Sequence, residues 1–229
     1  MEEVVKSVLR SMSSVKRPQA KFIASLFSVL LVFQGKANFR NLSRYCAMHE
    51  KRFSRWYRKT FDFVAFNRAL LRHELPSGGE YIAAIDASFM RKSGKKTEGL
   101  NWFYHSQSDQ AERGLEMSLI CLIDMKANTA YSLDARQTLD NDEGTRIDTY
   151  GKQVVQLAPK LRGMGVRYLV ADAYYSKIKF LRATCGAGRD MVGKLRCDSH
   201  LRWLYTGPYS GLGRPKLYDG KISLHEELE

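Results

Sequence analysis

Cysteines and long apolar runs are scarce in this sequence. Four cysteines lie far apart in 229 residues, and we recognise no secretory signal before them. A disulfide framework is therefore not expected, and a reducing compartment is favoured. The most apolar stretch, residues 22–33, is about 12 residues long, whereas a membrane span requires about 20. We interpret it as a core helix.

Acidic residues are outnumbered by basic ones. The chain has 24 Asp and Glu against 37 Lys and Arg, which gives a formal net charge of +13 and a pI near 9.6. Such a charge favours a polyanionic partner through counterion release and long-range attraction. A membrane surface would require a basic amphipathic helix or a lipidation signal, and here the charge is spread along the chain. We therefore expect nucleic acid as the partner and no membrane.

Residues 1–75 are predicted to form a small all-α domain. Apolar residues recur at spacings of three and four, Asn38 is a candidate helix cap, and a last helix is predicted over residues 51–66. This layout favours a helix-turn-helix that contacts DNA, although a solvated basic face on an ordinary helical bundle would give the same pattern. The candidate phosphate contacts on the last helix are Lys51, Arg52, Arg55, Arg58 and Lys59.

The Pro-Ser-Gly-Gly segment at 76–79 marks a domain boundary, and the residue pattern after it is typical of strands. A catalytic core is predicted over residues 80–205, and residues 206–229 form a third segment. The predicted elements of the core are strands at 81–86, 114–125 and 129–135, a helix at 147–161, a strand at 166–172, a helix up to about 185 and a strand at 190–195. A hairpin followed by a helical crossover indicates an α/β fold with a mixed sheet flanked by helices.

Two acids, Asp86 and Asp172, each close an apolar strand in this reading. The ends of the first and fourth strands can lie side by side, and paired carboxylates are hard oxygen ligands for Mg²⁺. A metal pair held there would stabilise both the attacking and the leaving oxygen of a phosphodiester displacement. The plainer alternative is that each Asp begins a loop or caps a helix. Asp124 also ends a strand, but it precedes a hairpin turn, where Asp is ordinary.

Four blocks in order, at 82–89, 114–124, 129–138 and 168–176, resemble the DDE transposases of bacterial insertion sequences. The resemblance implies an RNase H-like catalytic core in which Asp86 and Asp172 bind Mg²⁺, with Mn²⁺ as a substitute. The third acid of that family is a Glu in a Tyr, Arg, Glu, Lys pattern, which this sequence does not contain. Residues 213–218 resemble the start of the β-rich insertion that precedes it. We therefore interpret the chain as truncated, because Glu226, Glu227 and Glu229 lie too close to its end to substitute.

The resemblance further implies hydrolysis at transposon ends, joining of the 3′-hydroxyl to target DNA, a homodimer that synapses two ends of double-stranded DNA, and a bacterial cytoplasmic location at the nucleoid. Basic residues that follow each Asp are expected near the site, to contact phosphates. They are Arg91, Lys92, Lys95, Lys96, Lys177 and Lys179. Two alternatives stay open: a non-catalytic DNA-binding fragment that regulates the full enzyme, and another RNase H-like nuclease that acts on RNA or DNA without joining.

Overall fold

A helical region precedes a β-sheet region in the computed structural model, which describes residues 2–76, 78–94, 96–139, 144–196, 198–209, 211 and 213–222. The helical region consists of α1 (Glu2–Ser11), α2 (Arg17–Val32), α3 (Phe39–Leu42), α4 (Glu50–Tyr57) and α5 (Phe63–Glu74). Their apolar faces share one core, in which Val8, Phe22 and Phe53 are buried. No helix in these ranges is long and apolar enough to cross a membrane.

The single helix predicted over residues 51–66 is wrong, because α4 and α5 are separate helices. The carboxylate of Asp62 accepts a hydrogen bond from the backbone amide of Ala65 at 2.8 Å and so caps a new helix. Asp favours this role because its side chain competes for backbone amides that a continuous helix would use. The cap at Asn38 is confirmed, since its side chain accepts a hydrogen bond from the Asn41 amide at the start of α3.

Six strands form the main sheet, and two further helices pack on it. The strands are β1 (Tyr81–Arg91), β2 (Asn101–His105), β3 (Gln110–Asp124), β4 (Thr129–Gln137), β5 (Tyr168–Ala171) and β6 (Asp190–Gly193). The helices are α6 (Arg146–Arg162), between β4 and β5, and α7 (Ile178–Gly186), between β5 and β6.

The strand pairing confirms the predicted fold class. β1 lies between antiparallel β3 and parallel β5, and β5 pairs in parallel with β6. Both β2 and β4 pair antiparallel with β3, along different parts of it. After the antiparallel β3–β4 hairpin, the chain passes through α6 to strands that run parallel with β1, which is the topology of an RNase H-like mixed sheet. The small all-α region precedes this sheet.

Two strand boundaries differ from the prediction. β1 does not end at Asp86, because every residue from Tyr81 to Arg91 has a partner on β3. Residues 101–105, for which no strand was predicted, form β2 and pair with the first residues of β3, which begins at Gln110 rather than Gly114. These segments mix polar with apolar residues and are mostly exposed or half-buried, so no continuous apolar run marked them.

The core of this region lies between the sheet and the helices α6 and α7. Ile85, Ile120 and Leu169 from the strands pack in one buried cluster with Val154 of α6 and Phe180 of α7. The cluster fixes the central strands against both helices, and so fixes the register on which the candidate site depends.

A separate two-stranded sheet follows, formed by β7 (Arg202–Leu204) and β8 (Tyr218–Lys221). It overlaps the third predicted segment, of which residues 223–229, including Glu226, Glu227 and Glu229, lie outside the described residues. The proposed boundaries at 75, 80 and 205 remain predictions.

Candidate active site

Parallel pairing of β1 with β5 brings Asp86 next to Asp172. The register pairs Ala83 with Leu169 and Ile85 with Ala171, so the next position matches Asp86 with Asp172. Matched residues on neighbouring strands lie about 4.8 Å apart and point to the same face. Both aspartates line a cavity of about 550 Å³. The two acids singled out in the sequence are therefore together in space.

Each aspartate uses one oxygen locally. Oδ1 of Asp86 accepts a hydrogen bond from the Ala87 amide at 2.8 Å. Oδ1 of Asp172, the first residue after β5, accepts one from the Tyr174 amide at 3.0 Å and caps a short 3-10 helix at 173–175. Within the described chain, no ion pair or further hydrogen bond engages either carboxylate. One oxygen of each is thus free for a ligand.

A third carboxylate, Glu116 of β3, lines the same cavity, and one of its oxygens, Oε1, is already hydrogen-bonded. The hydroxyl of Tyr150 donates a short hydrogen bond to Oε1 of Glu116, and Oγ1 of Thr138 donates to the same atom at 2.8 Å. Nη1 of Arg146 lies 3.9 Å from Oε2. Glu116 therefore adds negative charge to the cavity while its position is fixed by three neighbours.

Arg146 is the one Lys or Arg among the described residues that line the cavity, and it contacts three neighbours. Its guanidinium lies 4.4 Å from the centre of the Phe103 ring and donates a hydrogen bond to the carbonyl of Trp102 at 2.9 Å, in addition to its contact with Glu116. It is the first residue of α6, whose start is fixed by Asp148. Hydrogen bonds from the backbone and hydroxyl of Thr145, followed by Lys179, lower the pKa of Asp148 to about 2.

Tyrosines form the wall between the cavity and the core. The rings of Tyr150 and Tyr175 lie 5.4 Å apart, and Tyr174 packs edge-on against Tyr175 at 5.6 Å. Burial raises the pKa of Tyr175, and the negative charges of Asp86 and Asp172 raise it further. Its hydroxyl is buried and has no hydrogen-bond partner in the described residues. The cavity therefore has both a negative field and an unsatisfied polar atom.

These residues fit a divalent cation that is bound partly by the protein. Mg²⁺ prefers oxygen ligands and commonly takes one or two carboxylates, with waters and substrate phosphates completing its shell. Asp86 and Asp172 supply the two carboxylates. In the ranges that the structure describes, no group of three or more His, Cys, Asp or Glu side chains is arranged to hold a metal.

A hydrogen-bonded cluster around Glu112 adjoins the cavity at His105. His105, which lines the cavity, contacts Glu112 at 3.2 Å, and the Arg91 guanidinium pairs with the same carboxylate at 2.5 Å. Hydrogen bonds from Ser108, His105 and Arg91 lower the pKa of Glu112 to about 2. The predicted DNA contact Arg91 is thus engaged in an ion pair outside the cavity lining.

The other basic residues predicted near the site are divided. Lys177 lies over the ring of Tyr174, with its ammonium 4.2 Å from the ring centre, and so borders the cavity. Lys179 instead pairs with Asp148 at 3.1 Å. Lys92 and Lys96 are exposed and do not line the cavity, and Lys95 lies outside the described residues.

The five candidate DNA contacts of the helical region are all exposed. Lys51, Arg52 and Arg55 lie on α4, whereas Arg58 caps its carboxyl end and Lys59 follows in the break before α5. Their positions suit contact with phosphates, which remains a prediction.

Sequence reasoning missed Glu116, Arg146 and Tyr150. Only the register of β3 against β1 and the packing of α6 bring them to the aspartates. Glu116 carried one signal: it is an acid within the apolar segment 114–124.

The RNase H-like sheet and the carboxylate-lined cavity at its central strands β1 and β5 define a class of nucleases and transposases. The chain belongs to the DDE superfamily endonuclease family, whose sequence profile matches residues 54–228. The family predicted from the four blocks is thereby confirmed. No curated protein sequence matches the chain significantly.

Solved structures that match part of this chain include nucleases and a transposase. A piggyBac transposase synaptic complex with hairpin DNA is 16% identical over 86% of this chain and 41% of that chain, with a TM-score of 0.42. Endonuclease V of Ciona intestinalis, in complex with a 24mer DNA, is 12% identical over 51% of this chain and 46% of that chain, with a TM-score of 0.29. The catalytic domain of human endonuclease V is 13% identical over 55% of this chain and 48% of that chain, with a TM-score of 0.26. The chain spans less than half the length of each.

Proposed function

We propose that this protein hydrolyses DNA phosphodiester bonds with Mg²⁺, or Mn²⁺ in its place, held by Asp86 and Asp172. The observation that carries the proposal is the β1–β5 register, whose last pair, Ile85 with Ala171, directly precedes the two aspartates. In the described part of the chain, one oxygen of each aspartate has no hydrogen-bond partner. Membership in a family of endonucleases supports the same chemistry.

The surrounding residues have separate roles in this proposal. Asp86 and Asp172 would hold Mg²⁺, which would lower the pKa of a bound water and neutralise charge on the phosphate. Arg146, fixed by Phe103 and Trp102, contacts a non-bridging phosphate oxygen, because it is the cation that shares the cavity with the aspartates. Tyr150 and Tyr175 exclude water from the core side, and Glu116 keeps Arg146 in place.

Strand transfer is the finer part of the proposal. After hydrolysis at a transposon end, the freed 3′-hydroxyl replaces water as the nucleophile and attacks a phosphodiester of target DNA. A bond forms from this 3′-oxygen to the target phosphorus, and the bond from that phosphorus to the target strand's own 3′-oxygen breaks, so that a target 3′-hydroxyl leaves. Synapsis of two ends of double-stranded DNA would require a homodimer, located in a bacterial cell at the nucleoid. The family membership supports this extension.

A cleavage assay with matched variants tests the proposal. The full chain is incubated with linear duplex DNA and supercoiled plasmid in Mg²⁺ or Mn²⁺. We expect Asp86→Asn and Asp172→Asn each to abolish nicking. Asp190→Asn removes an exposed carboxylate that pairs with Arg167 outside the cavity, and we expect it to cleave like the wild type.

The outcomes separate the alternatives. Metal-independent nicking, or equal activity in the three variants, would contradict the proposal. Duplex DNA binding without any cleavage would favour the non-catalytic regulator. Cleavage confined to RNA–DNA hybrids would favour an RNase H-like nuclease that does not join ends.

A further inference from the structure

A second cavity, far from the aspartates in sequence, is lined by cations. It has a volume of about 800 Å³ and lies in the helical region among α1, α2 and α4. We call it the basic groove, and its ten described lining residues are Lys6, Leu9, Arg10, Arg17, Ala20, Lys21, Ala24, Ser25, Met48 and Arg52. Five of the ten are Lys or Arg, and none is acidic.

The cations are arranged in two rows on neighbouring helices. Lys6 and Arg10 are four residues apart on α1, and Arg17 and Lys21 are four residues apart on α2. Residues at this spacing lie about 6 Å apart on the same helix face. Arg52 of α4 is the fifth cation. The rows therefore offer positive charge at several points along one groove rather than at a single point.

This arrangement is unfavourable for the fold alone. Like charges four residues apart on a helix repel each other. Lys6 is offset by Glu3 at 3.2 Å, but no ion pair joins Arg10, Arg17, Lys21 or Arg52 to a carboxylate in the described chain. No acidic residue lies in the first turn of α2 to offset Arg17. A polyanion in the groove would relieve the repulsion.

The floor of the groove consists mainly of apolar and small side chains. Leu9 and Ala24 are buried, and the small side chains of Ala20 and Ser25 leave depth between the two rows. An apolar floor with cationic rims suits a backbone of regularly spaced phosphates, whose sugars lie on the floor while their charges meet the rims. A single inorganic anion would engage only part of this set.

We propose that the basic groove binds the phosphodiester backbone of DNA, as a second contact surface separate from the aspartates. This surface is also distinct from the contacts predicted from the sequence, of which only Arg52 lines it. Binding here requires neither a bound metal nor cleavage, so it stands or fails independently of the catalytic proposal.

The test is a salt titration of duplex DNA binding by the full chain, in EDTA, followed by fluorescence anisotropy. The variant combines Arg10→Gln, Arg17→Gln and Lys21→Gln, all exposed side chains. The slope of log K against log salt is negative, and each lost phosphate contact reduces its magnitude by about 0.9. We expect the triple variant to bind more weakly, with a slope shallower by about 2 to 3.

A second triple variant controls for net charge. Lys126→Gln, Arg162→Gln and Arg182→Gln remove the same charge from exposed positions outside the groove. We expect its slope to stay within about 1 of the wild type. Unchanged melting temperatures would show that both variants are folded.

Three results would overturn the proposal. Equal losses in the two triple variants would mean that net charge alone drives binding. An unchanged slope in the groove variant would mean that DNA is bound elsewhere. Binding of phosphatidylserine vesicles, but not DNA, through the groove would mean that its partner is a lipid surface.

Discussion

Tyr150 is the buried residue that connects the core to the candidate site, and its hydroxyl provides a sharp test of the geometry. It is 1% exposed, and its hydroxyl donates to Glu116. In Tyr150→Phe the ring keeps its packing, whereas Glu116 keeps only the hydrogen bond from Thr138 and the ion pair with Arg146. A hydrogen bond to a charged group contributes about 1.5–3 kcal/mol, so we expect a loss of about 2 kcal/mol.

That loss corresponds to a fall in melting temperature of about 4–8 °C for a chain of this size. Tyr174→Phe is the matched control, because Tyr174 also lines the cavity but its hydroxyl makes no described hydrogen bond. Its melting temperature should change little. Equal effects in both variants, measured by calorimetry at pH 7, would refute the proposed role of the Tyr150 hydroxyl.

The same variant predicts a dependence on pH. Burial, and then the hydrogen bond to Glu116, raise the pKa of Tyr150 above its ordinary value of 10. A group whose pKa is raised by folding contributes stability below its unfolded pKa and loses it as pH rises further. The stability advantage of the wild type over Tyr150→Phe should therefore shrink above pH 10. A constant difference up to pH 11 would contradict a raised pKa.

Two further predictions concern residues outside the metal site. Asp124 is buried and accepts hydrogen bonds from the amides of Lys126 and Ala127, both at 2.9 Å. Asp124→Ala should therefore lower the free energy of unfolding, measured by urea titration, by about 2 kcal/mol. An unchanged free energy would exclude a role of Asp124 in stabilising this turn. The Glu112 carboxyl, whose pKa is lowered to about 2, should contribute stability above the unfolded pKa of 4.5 that is lost as pH falls through 2. Carboxyl NMR should find its midpoint near pH 2, and a midpoint near 4.5 would contradict the cluster.

Patterns local in the chain predicted the fold class and the neighbourhood of the aspartates. The apolar run 81–86 and the strand up to Ala171 are each continuous because their strands are central, and the periodic residues of α6 mark its buried face. These features depend on the burial of short segments, and a buried segment can be recognised in the sequence by its apolar residues and their spacing.

The features that sequence reasoning missed depend on pairing between distant segments. β1 continues past Asp86 because residues 87–91 pair with residues 114–118 of β3, and the break before Phe63 depends on a single cap at Asp62. The basic groove joins residues from three helices, and Glu116 meets Arg146 only through tertiary packing. Such contacts leave no periodic signal.

The central claim is that Asp86 and Asp172 together bind a divalent metal. Anomalous diffraction from crystals soaked in Mn²⁺ tests it most directly. The account predicts a peak between the two carboxylates that disappears in Asp172→Asn and persists in Asp190→Asn. Carboxylates more than about 8 Å apart could not share metals that lie roughly 3.5–4 Å from each other. Such a separation, or the lack of a peak at Asp86 and Asp172, would contradict the account.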